Sequence, residues 1–133
     1  MEMSYLIFRL SFALTMAYAH GLPKLMNFSA VAERFPDPIG LGSQLSLILA
    51  VGAELGAALF VAFGLLTRLM SIPLIITMAV AFFIVHASDP FQQKELAFLF
   101  MMAFIATFVG GSGHYSIQNF LRLTSGKFSW ILR

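Results

Sequence analysis

Four long runs of apolar residues occupy most of the chain, and short segments with proline, glycine or charged residues separate them. The runs cover about residues 3–22, 43–66, 68–87 and 90–111. Each has the roughly 20 apolar residues that a helix needs to cross the hydrocarbon core of a bilayer. The pattern predicts an all-α membrane protein, in which residues 1–114 form a bundle of four transmembrane helices.

Local signals predict where these spans begin and end. Gly21-Leu22-Pro23 predicts the end of the first span, because proline has no backbone N–H to donate. Thr67 and Arg68 predict the turn between the second and third spans. Asp89 as N-cap and Pro90 at the first helical position predict a sharp start for the fourth span.

Two segments outside the spans have an amphipathic pattern. In the first outer loop, apolar residues recur at helical spacing, which predicts a short helix in the membrane interface. Residues 115–133 place apolar side chains beside basic ones and predict an interfacial, cytoplasmic tail. The apolar positions of the loop are Leu25, Phe28, Val31, Ala32 and Phe35, and those of the tail are Phe120, Leu121, Phe128, Trp130 and Ile131.

Composition supports a membrane location. Of the 133 residues, 59% are hydrophobic and 11% are charged, and the mean hydropathy is +0.88. Soluble domains have about 25% charged residues. The net charge of +2 is too small to indicate nucleic-acid binding. The chain has no cysteine, which excludes disulfides and thiolate metal sites within the chain.

The basic residues predict an orientation. One side of the predicted bundle has the larger excess of Lys and Arg, so the positive-inside rule places that side, with both termini, in the cytoplasm. That side holds the N-terminus, Arg68, Arg122, Lys127 and Arg133, and the other side holds Lys24, Arg34 and Lys94 with Glu33, Asp37 and Asp89.

The first apolar run has a second interpretation. Residues 1–19 can be a signal peptide with Ala17-Tyr18-Ala19 as its cleavage site. The acidic Glu2 and the interruption by Arg9 disfavour that interpretation, so we expect a retained span.

Two charged residues lie far inside the predicted spans. Counted from the outer helix ends, Arg9 is roughly 20 Å deep and Glu54 roughly 17 Å deep, at 1.5 Å per residue. Because a hairpin places these helices side by side, we expect Arg9 to pair with Glu54. Such a pair can serve function or can only hold the two helices in register.

A second group of polar residues lies at the outer helix ends. His20, His86 and Glu95 come from three helices, with Lys24 above them, and can converge beneath the long loop. Together with Arg9 and Glu54 they predict a functional pocket near the outer face. Alternatives are interfacial histidines with satisfied hydrogen bonds, or a metal held by His20, His86 and Glu95. Bis-histidine haem ligation is a weaker alternative, because both histidines lie near helix ends.

Several ordered motifs resemble those of a known family. They are His20-Gly21-Leu22-Pro23-Lys24-Leu25, Phe35-Pro36-Asp37-Pro38-Ile39-Gly40, Glu54-Leu55-Gly56, Gly64-Leu65-Leu66-Thr67-Arg68, His86, Asp89-Pro90-Phe91, Glu95 and Gly111-Ser112-Gly113-His114-Tyr115-Ser116-Ile117. Between about Arg9 and Gln118, this set resembles the DoxX family of small bacterial membrane proteins. Gln118 departs from the family, which often has aspartate there.

The resemblance implies a four-helix protein of the bacterial inner membrane, with Arg9, His20, Lys24, Glu54, His86 and Glu95 at motif positions. It also implies a role in a quinone-linked membrane redox system, with soluble or membrane redox partner proteins. The chain has no flavin or haem signature.

Two other functions fit the same residues. One is a small-molecule or proton-coupled transporter or binding protein, because charged groups inside a bundle also line substrate pathways. Four short helices enclose a small pathway, so this alternative predicts a homo-oligomer. The other is a membrane scaffold without a ligand.

Overall fold

The computed structural model describes residues 1–121 and 129–132, and every element in this part of the chain is helical. In the predicted interfacial tail, Arg122, Lys127, Phe128 and Arg133 lie outside the described residues.

The first helix, α1, covers residues 2–26 in three consecutive segments. Glu2–Thr15 is α-helical, Met16–Gly21 forms a wider π-type turn, and Leu22–Met26 is α-helical again. The prediction that Gly21-Leu22-Pro23 breaks the first helix is therefore wrong. The π-type turn ends at Gly21, and Pro23 lies in the first turn of the α-helical segment that follows, where its missing N–H is tolerated.

Among the described residues, three helices are long and apolar enough to cross a membrane: Ser43–Phe63 (α3), Thr67–Val85 (α4) and Phe91–Gly110 (α5). The first two also contain π-type segments, at Gly52–Ala57 in α3 and Ala81–Val85 in α4. A chain with these helices is a membrane protein, as the hydropathy pattern predicts. A membrane crossing by α1, and with it the predicted count of four spans, stays a prediction.

The remaining helices are short. α2 is the single turn Phe28–Val31 in the loop between α1 and α3, and its place in the membrane interface stays a prediction. α6 is Ile117–Phe120, capped by Ser116, whose Oγ accepts from the Asn119 N–H at 3.1 Å. α7 is Ser129–Leu132.

The connections between the long helices differ in part from the prediction. Gly64 caps the end of α3 with a φ of 68°, which lies in the left-handed region that glycine tolerates, and Thr67 already begins α4. Pro90, not Asp89, is the N-cap of α5. The predicted cap is wrong because the Asp89 carboxylate is bound to His86 instead.

The long helices form an antiparallel bundle. α1 packs along α3, α3 against α4, α4 along α5, and α5 returns to contact α1. Many core residues are small, so the backbones can approach closely, as membrane helices do. The buried core consists of Ala13, Met16, Ala17, Ala57, Ala58, Val61, Ala62, Leu74, Met78, Phe100, Met101 and Phe104.

Contacts between the loops define two ends of the bundle. At one end, which we call the terminal end, the Glu2 carboxylate accepts from the His114 N–H at 3.1 Å. At the same end, Arg68 donates to the carbonyl oxygens of Phe108 and Val109, each at 2.9 Å, and so stabilises the negative end of the α5 dipole. The opposite end, the loop end, holds residues 27–42 and 86–90.

Candidate functional site

A cavity of about 390 Å³ lies at the loop end, between the long helices and the loop before α3. Its walls are mostly apolar, with Met16, Leu49, Ala50, Ile76, Val80, Val85, Leu96 and Phe100 among the lining residues. Phe35, Pro36, Pro38 and Ile39 of the loop also line it, and we call these four residues the roof. A mostly apolar cavity with few polar groups is the usual form of a small-molecule site.

Four of the six predicted pocket residues line this cavity. They are His20 and Lys24 from α1, Glu54 from α3, and His86 directly after α4. The structure therefore brings together residues that lie up to 66 positions apart, from His20 to His86, and it places Glu54 beside them.

Lys24 and Glu54 form an ion pair in the cavity wall. Lys24 Nζ lies 2.5 Å from Glu54 Oε2 and 3.4 Å from the backbone oxygen of His20. The Glu54 side chain is 7% exposed and that of Lys24 is 25% exposed. Removing a carboxylate from water carries a large cost, and the adjacent ammonium offsets part of it.

The two histidines are held differently. His86 Nδ1 lies 2.7 Å from Asp89 Oδ2, so Asp89 orients this ring. The His20 ring meets the Phe100 ring edge-on, with 5.5 Å between ring centroids. Because Asp89 does not itself line the cavity, it acts on the site through His86.

The wide turns of the long helices surround this cavity. Each of the three π-type segments contributes lining residues: Met16 and His20 in α1, Glu54 in α3, and Ala81 and Val85 in α4. Such insertions are frequent at functional sites, since they turn side chains away from the regular helical positions. Each of the helices α1, α3 and α4 is therefore widened by a π-type segment where it borders the cavity.

Arg9 does not pair with Glu54, so that prediction is wrong. Arg9 is 2% exposed and lies at the terminal end, where its guanidinium donates to the backbone oxygens of Ser112 and Tyr115. An ideal Cβ on Gly21 would lie 2.5 Å from the backbone nitrogen of Leu55, so α1 crosses α3 next to Glu54. Arg9 is then twelve residues from that crossing, roughly 18 Å along the helix.

The error in depth has a simple cause. Counting from Leu22 treats that residue as the outer end of α1, but the helix continues to Met26. The register of α1 against α3 is set by the crossing at Gly21. Depths counted from the predicted outer ends of the two helices therefore do not give it.

Glu95 does not join the cluster either. It is exposed on α5, while Leu96, Ala97 and Phe100 are the α5 residues that line the cavity. Neighbouring positions on a helix point about 100° apart, so Glu95 turns away from the face that carries Leu96 and Phe100. The structure therefore does not bring together His20, His86 and Glu95, the three residues of the metal alternative, and residues 1–121 and 129–132 contain no group of three acidic or histidine side chains suited to a metal ion.

The roof is attached to α3 by Asp37. Its carboxylate accepts from the backbone N–H groups of Leu41 and Gly42, each at 2.8 Å, and from Ser46 Oγ at 3.1 Å. The hydrogen bond from Gly42, with those from Leu41 and Ser46, holds the pKa of Asp37 below its usual value. The charged carboxylate therefore stabilises the observed position of the roof against α3.

Two important residues were not among the predicted pocket residues. Asp89 positions His86, and the spacing of three residues between them is a signal that sequence reasoning can use. Asp37 holds the roof, and it lies in the Phe35–Gly40 motif that carried part of the resemblance. The apolar lining, by contrast, has no signal of its own in a chain in which most residues are apolar.

The fold and the cavity define a small helical membrane protein with a ligand-sized site between its helices. The DoxX family model matches residues 4–87, which include His20, Lys24, Glu54 and His86. The chain belongs to the DoxX family, as its motifs indicate. An uncharacterized protein of Haemophilus influenzae is 26% identical over 109 residues, covering 78% of this chain and 72% of that protein. No solved structure matches the chain.

Proposed function

We propose that this protein binds the ring of a quinone, or of a similar apolar redox carrier, in the cavity at the loop end, as a component of a membrane redox system. The cavity carries the proposal, because a volume of about 390 Å³ with mostly apolar walls fits a substituted ring better than a sugar or a phosphate. Membership of the DoxX family supports the redox association.

The polar residues of the cavity suit such a ligand. Lys24 and Glu54 carry opposite charges, so together they favour a neutral ligand over an ion. His20 and His86 can exchange hydrogen bonds or protons with ring oxygens. In this proposal the chain supplies the binding site, and soluble or membrane redox partners supply the electron transfer.

The proposed topology places all four long helices across a bacterial inner membrane. α1 extends over residues 2–26, about 37 Å at 1.5 Å per residue, which is long enough to cross a bilayer. The excess of basic residues at the terminal end supports a cytoplasmic location for both termini and an outer location for the cavity.

A tryptophan in the roof tests the binding proposal. In Phe35→Trp, a decyl-substituted benzoquinone should quench the tryptophan emission in a saturable manner. The native protein should not show this saturable quenching, because Trp130 lies at the terminal end, where the Arg68 guanidinium lies 4.6 Å from its ring centroid. Equal and linear quenching of the Phe35→Trp variant and of the native protein would contradict the proposal.

Two further variants separate ligand binding from a scaffold role. His20→Ala and His86→Ala, each made with the roof tryptophan, should weaken quenching several-fold because each removes a polar group of the cavity. Glu95→Gln is the matched control, since Glu95 is exposed and does not line the cavity. A scaffold without a ligand predicts no saturable quenching in any of these proteins.

A further inference from the structure

Glu54 presents the cavity with a hydrogen-bond acceptor. Its Oε2 atom is bound to Lys24, and among the described residues Oε1 has no hydrogen-bond donor. An ionised carboxylate only accepts hydrogen bonds. A ligand that donates a hydrogen bond therefore satisfies Oε1, and a ligand that only accepts leaves it unpaired.

Lys24 does not reverse the preference of Glu54 for a ligand that donates a hydrogen bond. Two of its three N–H groups are directed at Glu54 Oε2 and the His20 carbonyl oxygen, which leaves one N–H. A hydroxyl can accept from that N–H and donate to Glu54 at the same time. A quinone carbonyl can use only the Lys24 N–H, so the ion pair matches a hydroxyl more fully than a carbonyl.

His86 provides a second acceptor on another side of the cavity. In the neutral ring, Nδ1 carries the proton that it donates to the Asp89 carboxylate, 2.7 Å away. The other nitrogen, Nε2, then has a free lone pair, and within the part of the chain that the structure describes nothing donates to it. The site thus has an acceptor on α3 and another directly after α4. His20 adds no preference, because a neutral imidazole can donate or accept.

We propose that the cavity binds the reduced form of its ligand, an aromatic diol such as a hydroquinone, in preference to the oxidised quinone. The inference rests on the proposed function and adds the redox form that the site selects. Each ring hydroxyl donates to one of the two acceptors, Glu54 or His86. The quinone has the same ring and tail, but it cannot make either hydrogen bond.

The test compares the two redox forms of one probe. The protein in lipid nanodiscs is equilibrated anaerobically with a decyl-substituted benzoquinone or with its hydroquinone, and bound ligand is counted after subtraction of the amount held by empty nanodiscs. We expect the hydroquinone to bind about tenfold more tightly, with about threefold from the hydrogen bond to Glu54 and about threefold from the hydrogen bond to His86.

Two variants locate the preference in the named residues. Glu54→Gln, which replaces the pure acceptor with a group that also donates, should reduce the preference to about threefold, because only the hydrogen bond to His86 then distinguishes the two forms. Asp89→Ala changes a residue outside the cavity lining and leaves the His86 ring in place. It removes the carboxylate that holds the proton on Nδ1 of His86, so Nε2 is no longer fixed as an acceptor. The preference for the hydroquinone should then fall about threefold. Glu95→Gln should retain the native preference.

The outcomes distinguish the two proposals. Saturable binding with equal or tighter affinity for the quinone would overturn this inference and leave the proposed function intact. A native preference that persists unchanged in both Glu54→Gln and Asp89→Ala would also overturn it. Binding of neither form would overturn the proposed function, and this inference with it.

Discussion

At the residue scale, two deeply buried charged side chains are stabilised in different ways. Glu54 has a charged partner, Lys24, in the cavity wall. Arg9 instead donates to two backbone oxygens, of Ser112 and Tyr115, and no carboxylate among the described residues pairs with it. In a buried ion pair, each charged group can also interact with a ligand. Hydrogen bonds from a guanidinium to backbone oxygens mainly hold the surrounding backbone in place.

Lys24→Met should destabilise the protein by about 3 kcal/mol, because it leaves the buried Glu54 carboxylate without its partner. The double variant Lys24→Met with Glu54→Leu should recover most of that loss, since it removes both charges. The free energy of unfolding, measured by denaturant titration in bicelles, checks both expectations. A double variant less stable than Lys24→Met would show that the pair does not account for the loss.

Arg9→Lys should loosen the segment 111–116 and reduce stability by about 2 kcal/mol, because a single ammonium cannot reach both carbonyls as the planar guanidinium does. Faster hydrogen exchange of these amides is the readout. Arg34→Lys, a change at an exposed arginine in the loop, is the control. Unchanged hydrogen exchange of these amides in Arg9→Lys would mean that a positive charge alone, without the guanidinium geometry, holds the segment 111–116 in place.

At the scale of elements, the crossing of α1 and α3 sets the geometry of the site. It lies where Gly21 meets the backbone of Glu54 and Leu55. Because this contact is backbone to backbone, it determines the register of the ion pair and of His20. The π-type segments of both helices meet at the same level.

Gly21→Ala should therefore destabilise the bundle, by about 1–3 kcal/mol of overpacking. The added methyl would lie 2.5 Å from the Leu55 nitrogen and 2.7 Å from the Glu54 carbonyl carbon, and backbone atoms cannot move aside as a flexible side chain does. Gly52→Ala is the control, since a Cβ there meets nothing within 4 Å and alanine favours a helix. Equal thermal midpoints for the two variants would contradict the proposed crossing.

The loop that forms the roof should respond to acid through Asp37. Backbone and side-chain donors lower the pKa of Asp37, so its charged carboxylate stabilises the position of the roof at neutral pH. This stabilisation is lost as the pH falls through the lowered pKa. The fluorescence of the Phe35→Trp variant follows the change. Asp37→Asn should give the acid-like signal already at neutral pH, and Glu33→Gln, at an exposed acid of the same loop, should keep the transition.

At the scale of the whole molecule, the contacts place the N-terminus, the α3–α4 turn and the end of α5 at one end of the bundle. The cavity opens at the other end. If α1 crosses the membrane, the two groups of loops face opposite compartments. The predicted homo-oligomer stays a prediction.

Cysteine labelling tests that topology, because the native chain has no cysteine. Ser88→Cys at the loop end should react with a membrane-impermeant maleimide in intact cells. Leu121→Cys at the terminal end should react only after permeabilisation, in agreement with the positive-inside rule. The reverse labelling pattern would invert the orientation and place the cavity on the cytoplasmic side.

Much of the architecture follows from the sequence alone. Ser43–Phe63, Thr67–Val85 and Phe91–Gly110 lie within a few residues of their predicted spans, because hydropathy and turn residues act locally. The sequence also places His86 correctly, directly after the end of α4, whereas α1 continues past His20 and Lys24 to Met26. Membership of the DoxX family was also readable from the ordered motifs.

The partners of the buried charges were decided only by the tertiary structure. The continuation of α1 to Met26 and its crossing at Gly21 move Arg9 to the terminal end and bring Lys24 to Glu54. A shift of a few residues between two helices exchanges every contact between them, and nothing in the local sequence measures that shift. The sequence by itself therefore determined a helical membrane chain with ionisable residues inside it, and the packing of backbone on backbone determined which of them form the site.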